Sequence, residues 1–373
     1  EKYLRHQTHC AAGSPLRISA YRLAMLRVPL REPFRTSLRQ VNEVADVVVL
    51  LESDCGRVGY GSAPATVAIT GHDHRSIIAA LESELLPWIL CQSFNGLCSL
   101  EALLDQLVTD NVNARSALEI ALFDLAAQAA GLPLSVFLGG GTSQLETGIT
   151  VSVAEPEAMV ASALVGVQRG FTSLKLKVGD TPDKDIQRVQ QVAAAIGGRA
   201  KIYLDANQAW TSTQAVAVIN GLTASGIAMD LIEQPVPAAD LAGLALVRAA
   251  VDVPVMADES VFSPRDAAAL IQAAAADILN IKLVKSGGIS GALAIVDIAA
   301  EAGVNCMMGC MLESPISVSA AAHVAAARSA VINRVDLDAP MLCRQNPISG
   351  GTVFAGARVE LNRTPGLGIT SIQ

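Results

Sequence analysis

The 373-residue chain predicts a closed parallel β/α barrel carrying an N-terminal α+β cap. Three observations predict it. Five strand-like segments place a charge at or near their C-terminal ends: Leu174-Lys175-Leu176-Lys177, Ile202-Tyr203-Leu204-Asp205, Leu231-Ile232-Glu233, Val255-Met256-Ala257-Asp258 and Leu279-Asn280-Ile281-Lys282. Their last charges lie 28, 28, 25 and 24 residues apart. That is the length of a strand, a helix and two loops, so each charge returns to the same end of the next strand. From Thr147 onward, strand candidates at 148–153, 173–178, 201–206, 230–233, 254–258, 278–283, 304–309 and 332–337 alternate with helical stretches such as 186–196, 213–224, 241–250 and 265–275. Eight strands with helical crossovers close into a barrel rather than an open sheet. Before Thr147 the order is strands and then helices, the pattern of a separate α+β unit.

In that first part, residues 17–62 supply two or three strands. The β-branched run 47–51 belongs to one, and Cys55-Gly56 turns the chain toward Val58-Gly59-Tyr60. Residues 29–37, with Pro29 and Pro33, read as a loop. Apolar spacing predicts helices over 73–90 and 99–109, and a strong helix over 113–130 that Asn113 caps and Gly131 with Pro133 ends. After the eighth strand no helix follows. The chain turns at Pro340 and continues extended through Gly350-Gly351, Val353-Phe354 and Leu361, a tail expected to pack back on the cap. The expected division is a cap at 17–141, a (β/α)7β barrel of modified TIM type at 142–345, and a C-terminal segment at 346–373.

Composition excludes several function classes. A net charge of −8 without a basic run offers nucleic acid or an anionic membrane no electrostatic footprint. Apolar runs are strand-sized, well short of the roughly 18–20 residues that span a bilayer, and residues 1–16 hold no signal-like apolar core. Seven cysteines, an odd number without a CxxC, read as free thiols of a reducing cytoplasm rather than as disulfides or zinc ligands. Cys306 and Cys310 are expected on one strand, facing the same way, which does not suit a tetrahedral site. His72 and His74 lie in a polar segment that reads as a solvated loop.

The strand-end charges carry the chemistry. In a barrel they gather at the C-terminal mouth, where catalytic groups converge. Asp205, Glu233 and Asp258 offer only oxygen ligands, which suits Mg²⁺, or Mn²⁺ in its place. One such acid alone would be read as a helix cap or ion-pair partner; three at one register read as a metal site. Lys175 and Lys177, two apart, share a strand face, and burial beside like charge lowers a lysine pKa toward that of a usable base. Lys282 lies four strands on, across the barrel. Lysines on opposite walls can remove a proton from one face of a carbon and return it to the other, while a metal between them holds a substrate carboxylate and stabilises the enediolate. Lys285 reads as part of the following loop. Asp336 and Asp338 share a face of the last strand and are expected to bind a cationic substrate group, a helix cap or salt bridge being the bland alternative.

The run Lys175-x-Lys177, Asp205-Ala-Asn-Gln, Ile232-Glu-Gln-Pro235, Ala257-Asp-Glu-Ser260 and Asn280-Ile-Lys-Leu-Val-Lys-Ser-Gly-Gly288 resembles the muconate lactonizing enzyme subgroup of the enolase superfamily, whose sites pair a Lys or His base with Mg²⁺. The likeness spans nearly the whole chain, including Phe137-Leu-Gly-Gly-Gly141. Asp336-x-Asp338 with Ala339-Pro340 is similar to the dipeptide epimerases, where paired aspartates bind the substrate α-ammonium. The segment Pro33-Phe34-Arg35-Thr36-Ser37-Leu38-Arg39 resembles the L-Ala-D/L-Glu epimerases, in which the arginine matching Arg39 holds the glutamate carboxylate. A guanidinium fork fits that partner.

The resemblance implies an isomerase: Mg²⁺ on Asp205, Glu233 and Asp258, proton transfer by Lys177 and Lys282, and Lys175 tuning Lys177 and touching the substrate carboxylate. Asn207 and Glu259 would support the ligands by hydrogen bonding. It also implies L-Ala-L-Glu as substrate, murein peptide metabolism as setting, and a homo-oligomer. Gly61-Ser62-Ala63-Pro64 departs from the Gly-Glu-Ala-Pro of many relatives and bears on side-chain preference. Rival readings are N-succinylamino acid racemase, o-succinylbenzoate synthase or muconate cycloisomerase, none with an evident use for Asp336 and Asp338. Outside the superfamily stand a Schiff-base aldolase and a non-catalytic barrel.

Overall fold

The computed structural model describes residues 15–35, 40–141 and 144–373. Its centre is a parallel sheet of eight strands, Ile149–Val151, Ser173–Lys177, Lys201–Asp205, Met229–Glu233, Val255–Ala257, Ile278–Ile281, Asn305–Gly309 and Ile332–Asp336, each bonded to the next in chain order. Seven helices connect them: Pro156–Gln168, Pro182–Ile196, Ser212–Ala224, Leu241–Ala250, Pro264–Gln272, Ile289–Glu301 and Pro315–Ala327. Only the single turn Ala339–Leu342 follows the last strand, as the missing eighth helical pattern predicts. Helix starts are written locally. Thr211, Asp240, Ser263 and Ser314 accept hydrogen bonds from N–H groups of the first turn, and prolines occupy first positions that have no donor to lose.

Strand alternation divides the barrel wall. Tyr203, Leu231, Met256, Ile278 and Met307 pack together as a small cluster of their own, while Ile202, Leu204, Ile232, Val255, Leu279 and Cys306 join the main core with the helices. Lys177, Asp205 and Glu233 are direct cross-strand partners, so the charge period does return to one level. The first and last strands meet without a regular ladder. Gly148 N–H reaches Val335 O at 3.4 Å, Leu337 N–H donates to Thr147 Oγ1 at 2.8 Å, and Thr150 N–H donates to Asp338 Oδ2 at 2.7 Å. Side chains finish the closure there.

The N-terminal layer is an antiparallel sheet of Leu16–Arg35, Gln40–Ser53 and Val58–Pro64, with Ser93–Phe94 on its edge. The proline segment expected as a loop is strand as far as Arg35. Pairing with Gln40–Ser53 skips between Pro29 and Phe34, because an irregular stretch tolerates residues that lack an N–H donor. Helices His74–Ala80, Leu86–Ile89 and Gly96–Leu104 precede the long helix Val112–Ala130, which packs on the sheet closely enough that a Cβ at Gly61 would sit 1.9 Å from Ala117 O. Asn111, not Asn113, caps this helix, its side chain accepting from Ala114 N–H at 2.9 Å. Asn113 falls inside the first turn, buried, and donates to Pro64 O at 2.7 Å.

Three buried acids tie this layer to the rest. Glu119 accepts from Ser290 N–H and Oγ at the start of Ile289–Glu301, and Asp46 accepts from Ser314 N–H at the start of Pro315–Ala327. Helix N-termini favour such negative charge. Asp124 accepts from Tyr60 N–H and from Leu367 N–H of the tail. Burial pushes Asp46 and Asp124 up to about 6 and Glu119 upward as well. The tail is extended as expected: Ile348–Gly350 pairs with Ile369–Ile372, and Arg358–Glu360 joins Gln144–Glu146.

Cys91, Cys98, Cys306, Cys310 and Cys343 form no disulfide. Cys306 and Cys310 do not share a strand face: the strand ends at Gly309, so Cys306 packs in the main core and Cys310 lies in the loop beyond. His72 and His74 bond separate carbonyls, Asp110 O and Ala45 O. Among the described residues no helix is long and apolar enough to cross a membrane.

His323, buried in Pro315–Ala327, accepts from Ser135 N–H through Nδ1 at 3.0 Å. A backbone N–H can only donate, so Nε2 carries the proton. Burial lowers the imidazole from 6.5 to about 4. The unfolded chain therefore takes up a proton first as pH falls, and the contribution of this site is full above 6.5 and lost toward 4, about 3 kcal/mol across that range. His323→Asn keeps an acceptor for Ser135. The stability advantage of the unsubstituted protein over this variant should shrink by about 2 kcal/mol between pH 7.5 and pH 5, read from urea midpoints; a constant gap would show that the imidazole titrates alike in the folded and the unfolded chain.

Candidate active site

The mouth of the barrel holds ten ionisable side chains at no more than 6% exposure: Lys175, Lys177, Asp205, Glu233, Asp258, Glu259, Lys282, Lys285, Asp336 and Asp338. Each comes from a strand end or the residues just past it. Lys175 Nζ lies 2.8 Å from Asp336 Oδ2, 2.8 Å from Glu233 Oε2 and 3.3 Å from Asp205 Oδ2, with the Tyr203 ring below it. The Glu233 contact is an ion contact without hydrogen-bond geometry. Lys177 donates to Asp205 Oδ2 and, at 3.0 Å, to Asn207 Oδ1. Across the mouth, Lys282 donates to Asp258 Oδ2 at 2.6 Å.

Neutral side chains aim the carboxylates. Asn280 Nδ2 donates to Glu233 Oε1 at 2.7 Å, and Asn207 joins Asp205 to Glu259 through its N–H and its amide. Gln234 Oε1 accepts from the N–H groups of Asp258 and Ser260. Asn207, Gln208 and Gln234 adopt left-handed backbone at φ 44°, 70° and 35°, conformations that non-glycine residues hold at a cost and that cluster at functional sites. Gly309 leaves the room: a Cβ there would meet Asn280 Oδ1 at 2.5 Å and Lys282 Cε at 3.1 Å.

Burial sets the electrostatics and the pairs redistribute it. Burial opposes charge on Asp205 and Asp258, yet the neighbouring lysines outweigh it and hold both carboxyls low. Glu233 goes the other way, pushed up to about 8 by burial and then by Asp205, and Glu259 rises to about 7 by burial and then by Asp258. Burial and then Asp336 raise Asp338 to about 6. Lysine behaviour departs from expectation. Burial alone would lower Lys175 and Lys282, but Asp336 and Asp258 respectively outweigh it and hold both ammoniums protonated. Six carboxyls face four lysines, and the two most raised, Glu233 and Glu259, measure that surplus.

The expected metal ligands are therefore together but interleaved with ammonium groups. Among the described residues, no three acidic, His or Cys side chains enclose a point where a cation could sit as they stand. The donor set still fits a hard divalent ion: all oxygen, buried, with a surplus of two carboxyls.

A pocket opens over this charge cluster. Lys175, Lys177, Asn207, Asp258, Glu259, Lys282, Asp336 and Asp338 form its floor together with Thr150, and Phe34, Ala68, Ile69, Met311 and Leu312 add apolar walls. Asp336 spends one oxygen on Lys175 and keeps Oδ1 unpartnered, while Asp338 spends Oδ2 on Thr150 N–H. Lys285, expected in the following loop, has its ammonium inside the charge cluster. Arg39 lies outside the described residues. The apolar walls escape sequence reading because they come from distant segments without a shared period.

Residues 158–372 match the enolase C-terminal domain-like family, and residues 18–139 match the mandelate racemase/muconate lactonizing enzyme N-terminal domain. The L-Ala-D/L-Glu epimerase of Clostridium acetobutylicum is 43% identical over 93% of this chain and 97% of its own length. The substrate-liganded L-Ala-D/L-Glu epimerase of Bacillus subtilis superposes with a TM-score of 0.93 at 43% identity, covering 96% of this chain and 99% of that one. The dipeptide epimerase of Enterococcus faecalis V583, complexed with Mg and L-Leu-L-Tyr, gives 0.89 at 36% identity, covering 96% and 100%. With both family patterns matched in order along one chain, this protein belongs to the mandelate racemase/muconate lactonizing enzyme branch of the enolase superfamily.

Proposed function

We propose that this protein is a Mg²⁺-dependent dipeptide epimerase, an isomerase that inverts the α-carbon of the C-terminal residue, with L-Ala-L-Glu as its substrate. The observation that carries the proposal is the placement of Lys177 and Lys282 at strand ends four apart, both lining one pocket above buried carboxylates. The named activities and the Mg and dipeptide complexes of the relatives support it. Free thiols suit a cytoplasmic setting.

In this reading Asp205, Glu233 and Asp258 hold the divalent cation, with Asn207, Asn280 and Glu259 orienting them. When bound, the cation supplies positive charge that eases loss of a proton beside a carboxylate. Lys177 takes the α-proton from one isomer at Nζ and Lys282 delivers one to the opposite face, the roles reversing in the other direction. Lys175 stays charged between Asp205, Glu233 and Asp336 and faces the substrate carboxylate. The free oxygens of Asp336 and Asp338 receive the dipeptide ammonium.

In D₂O, a dipeptide library should acquire α-deuterium only in the C-terminal residue, read by mass. Lys177→Ala and Lys282→Ala should each abolish epimerisation while still exchanging the α-proton of one isomer, a different one in each variant. Normal epimerisation by Lys282→Ala would end the two-base reading. Chelation with EDTA should remove activity and Mg²⁺ should restore it; full turnover by rigorously metal-free protein would exclude the metal site.

Specificity separates from chemistry. Asp338→Asn keeps an oxygen for Thr150 N–H but drops the charge, so dipeptide binding should weaken by roughly 2–5 kcal/mol while N-acylated analogues change little. Arg39→Met should lower kcat/KM for L-Ala-L-Glu and spare Ala-Leu. Equal losses with both substrates would assign Arg39 to the cap alone.

A further inference from the structure

Lys285 is the most buried of the four lysines at the mouth, at 1% exposure, and it does not line the pocket. Its ammonium donates to Asp258 Oδ1, to Asp258 O and, at 3.1 Å, to Asn280 O, with the Phe262 ring 5.4 Å away. Pairing between the fifth and sixth barrel strands ends at Ala257 and Leu279. Asp258 and Asn280 are the next residues on each strand, so the lysine joins the two carbonyls where the backbone ladder stops. The turn that follows places it there: Lys285 N–H donates to Lys282 O at 2.9 Å and Ser286 N–H to the same oxygen at 3.1 Å. One carboxylate is thereby held from two sides, Oδ1 by Lys285 and Oδ2 by Lys282.

We propose that Lys285 is a positioning residue for the Lys282 half of the reaction. It clasps the strand ends that carry Asp258 and Lys282, and it holds the Asp258 carboxylate in place beside Lys282. Without it, Asp258 would lose its inner partner, and two strand ends would lose their last cross-link. Nothing comparable ties Lys285 to Lys177, whose contacts are with Asp205 and Asn207. The effect should therefore fall on one face of the substrate.

This inference rests on the two-lysine reading above, and the test separates the two. Deuterium exchange is followed from L-Ala-L-Glu and from L-Ala-D-Glu, with Lys177→Ala and Lys282→Ala defining which isomer each lysine serves. Lys285→Met should slow exchange of the Lys282 isomer at least tenfold more than exchange of the other. Lys285→Gln, which retains a donor for the two carbonyls but no charge, carries the same comparison if the methionine variant does not fold. Equal loss for both isomers, no loss, or failure of both variants to fold would overturn the proposal and leave Lys285 a core residue. Absence of isomer-selective exchange in Lys177→Ala and Lys282→Ala would instead overturn the two-lysine reading itself.

Discussion

The whole mouth depends on burying ten ionisable groups out of water. An isolated ion in such a setting costs several kcal/mol, and close pairing with full hydrogen bonding is what makes the arrangement tolerable. Every lysine here touches a carboxylate, and every carboxylate on the floor is bonded to a lysine, an amide or a backbone N–H. The pairing also outweighs burial: beside Asp258 the Lys282 ammonium stays protonated.

That pairing needs walls that do not move. The layer above the mouth is fastened by acids that accept from helix N-termini, Glu119 on Ile289–Glu301 and Asp46 on Pro315–Ala327. Both helices begin just past loops that carry site residues, Lys282 to Gly288 in one case and Cys310 to Leu312 in the other. Docking the layer and setting the pocket wall are therefore one set of contacts. Ser62 belongs to it, bonding Ser314 Oγ at 2.8 Å. Ser314 stands two residues past Leu312 of the pocket wall.

The barrel and its charged residues were legible in the sequence because a parallel βα unit has a nearly constant length. A side chain at the end of one strand has its counterpart one period later, so Lys177, Asp205, Glu233, Asp258 and Lys282 announce themselves by spacing alone. Residues that work by reaching sideways leave no such mark. Lys285 looks like a loop lysine until the turn at Lys282 folds it under Asp258, and Asn280 is only a polar residue in an apolar run until Glu233 faces it. Asn113 misleads because two asparagines stand close together and either could cap; the helix starts one residue earlier than its apolar pattern. Pro29 and Pro33 suggest a loop, yet an irregular strand pairing absorbs them. The expectation of a lowered pKa failed at Lys175 for a related reason: like charge is visible two residues along the strand, but the acids that outweigh it arrive from other strands.

Chemistry and selectivity are thus written on different parts of the fold. The lysines and carboxylates proposed for proton transfer and ion binding sit on strand ends, held by the ladder and by side-chain clasps, where displacement by even one residue would turn them to the other face. The pocket walls above them are Phe34, Ala68, Ile69 and the loop from Cys310 to Leu312, attached to the barrel through a few buried polar contacts. A fold arranged this way can change the side chain it accepts while the lysines and carboxylates below keep the geometry that inverts the carbon.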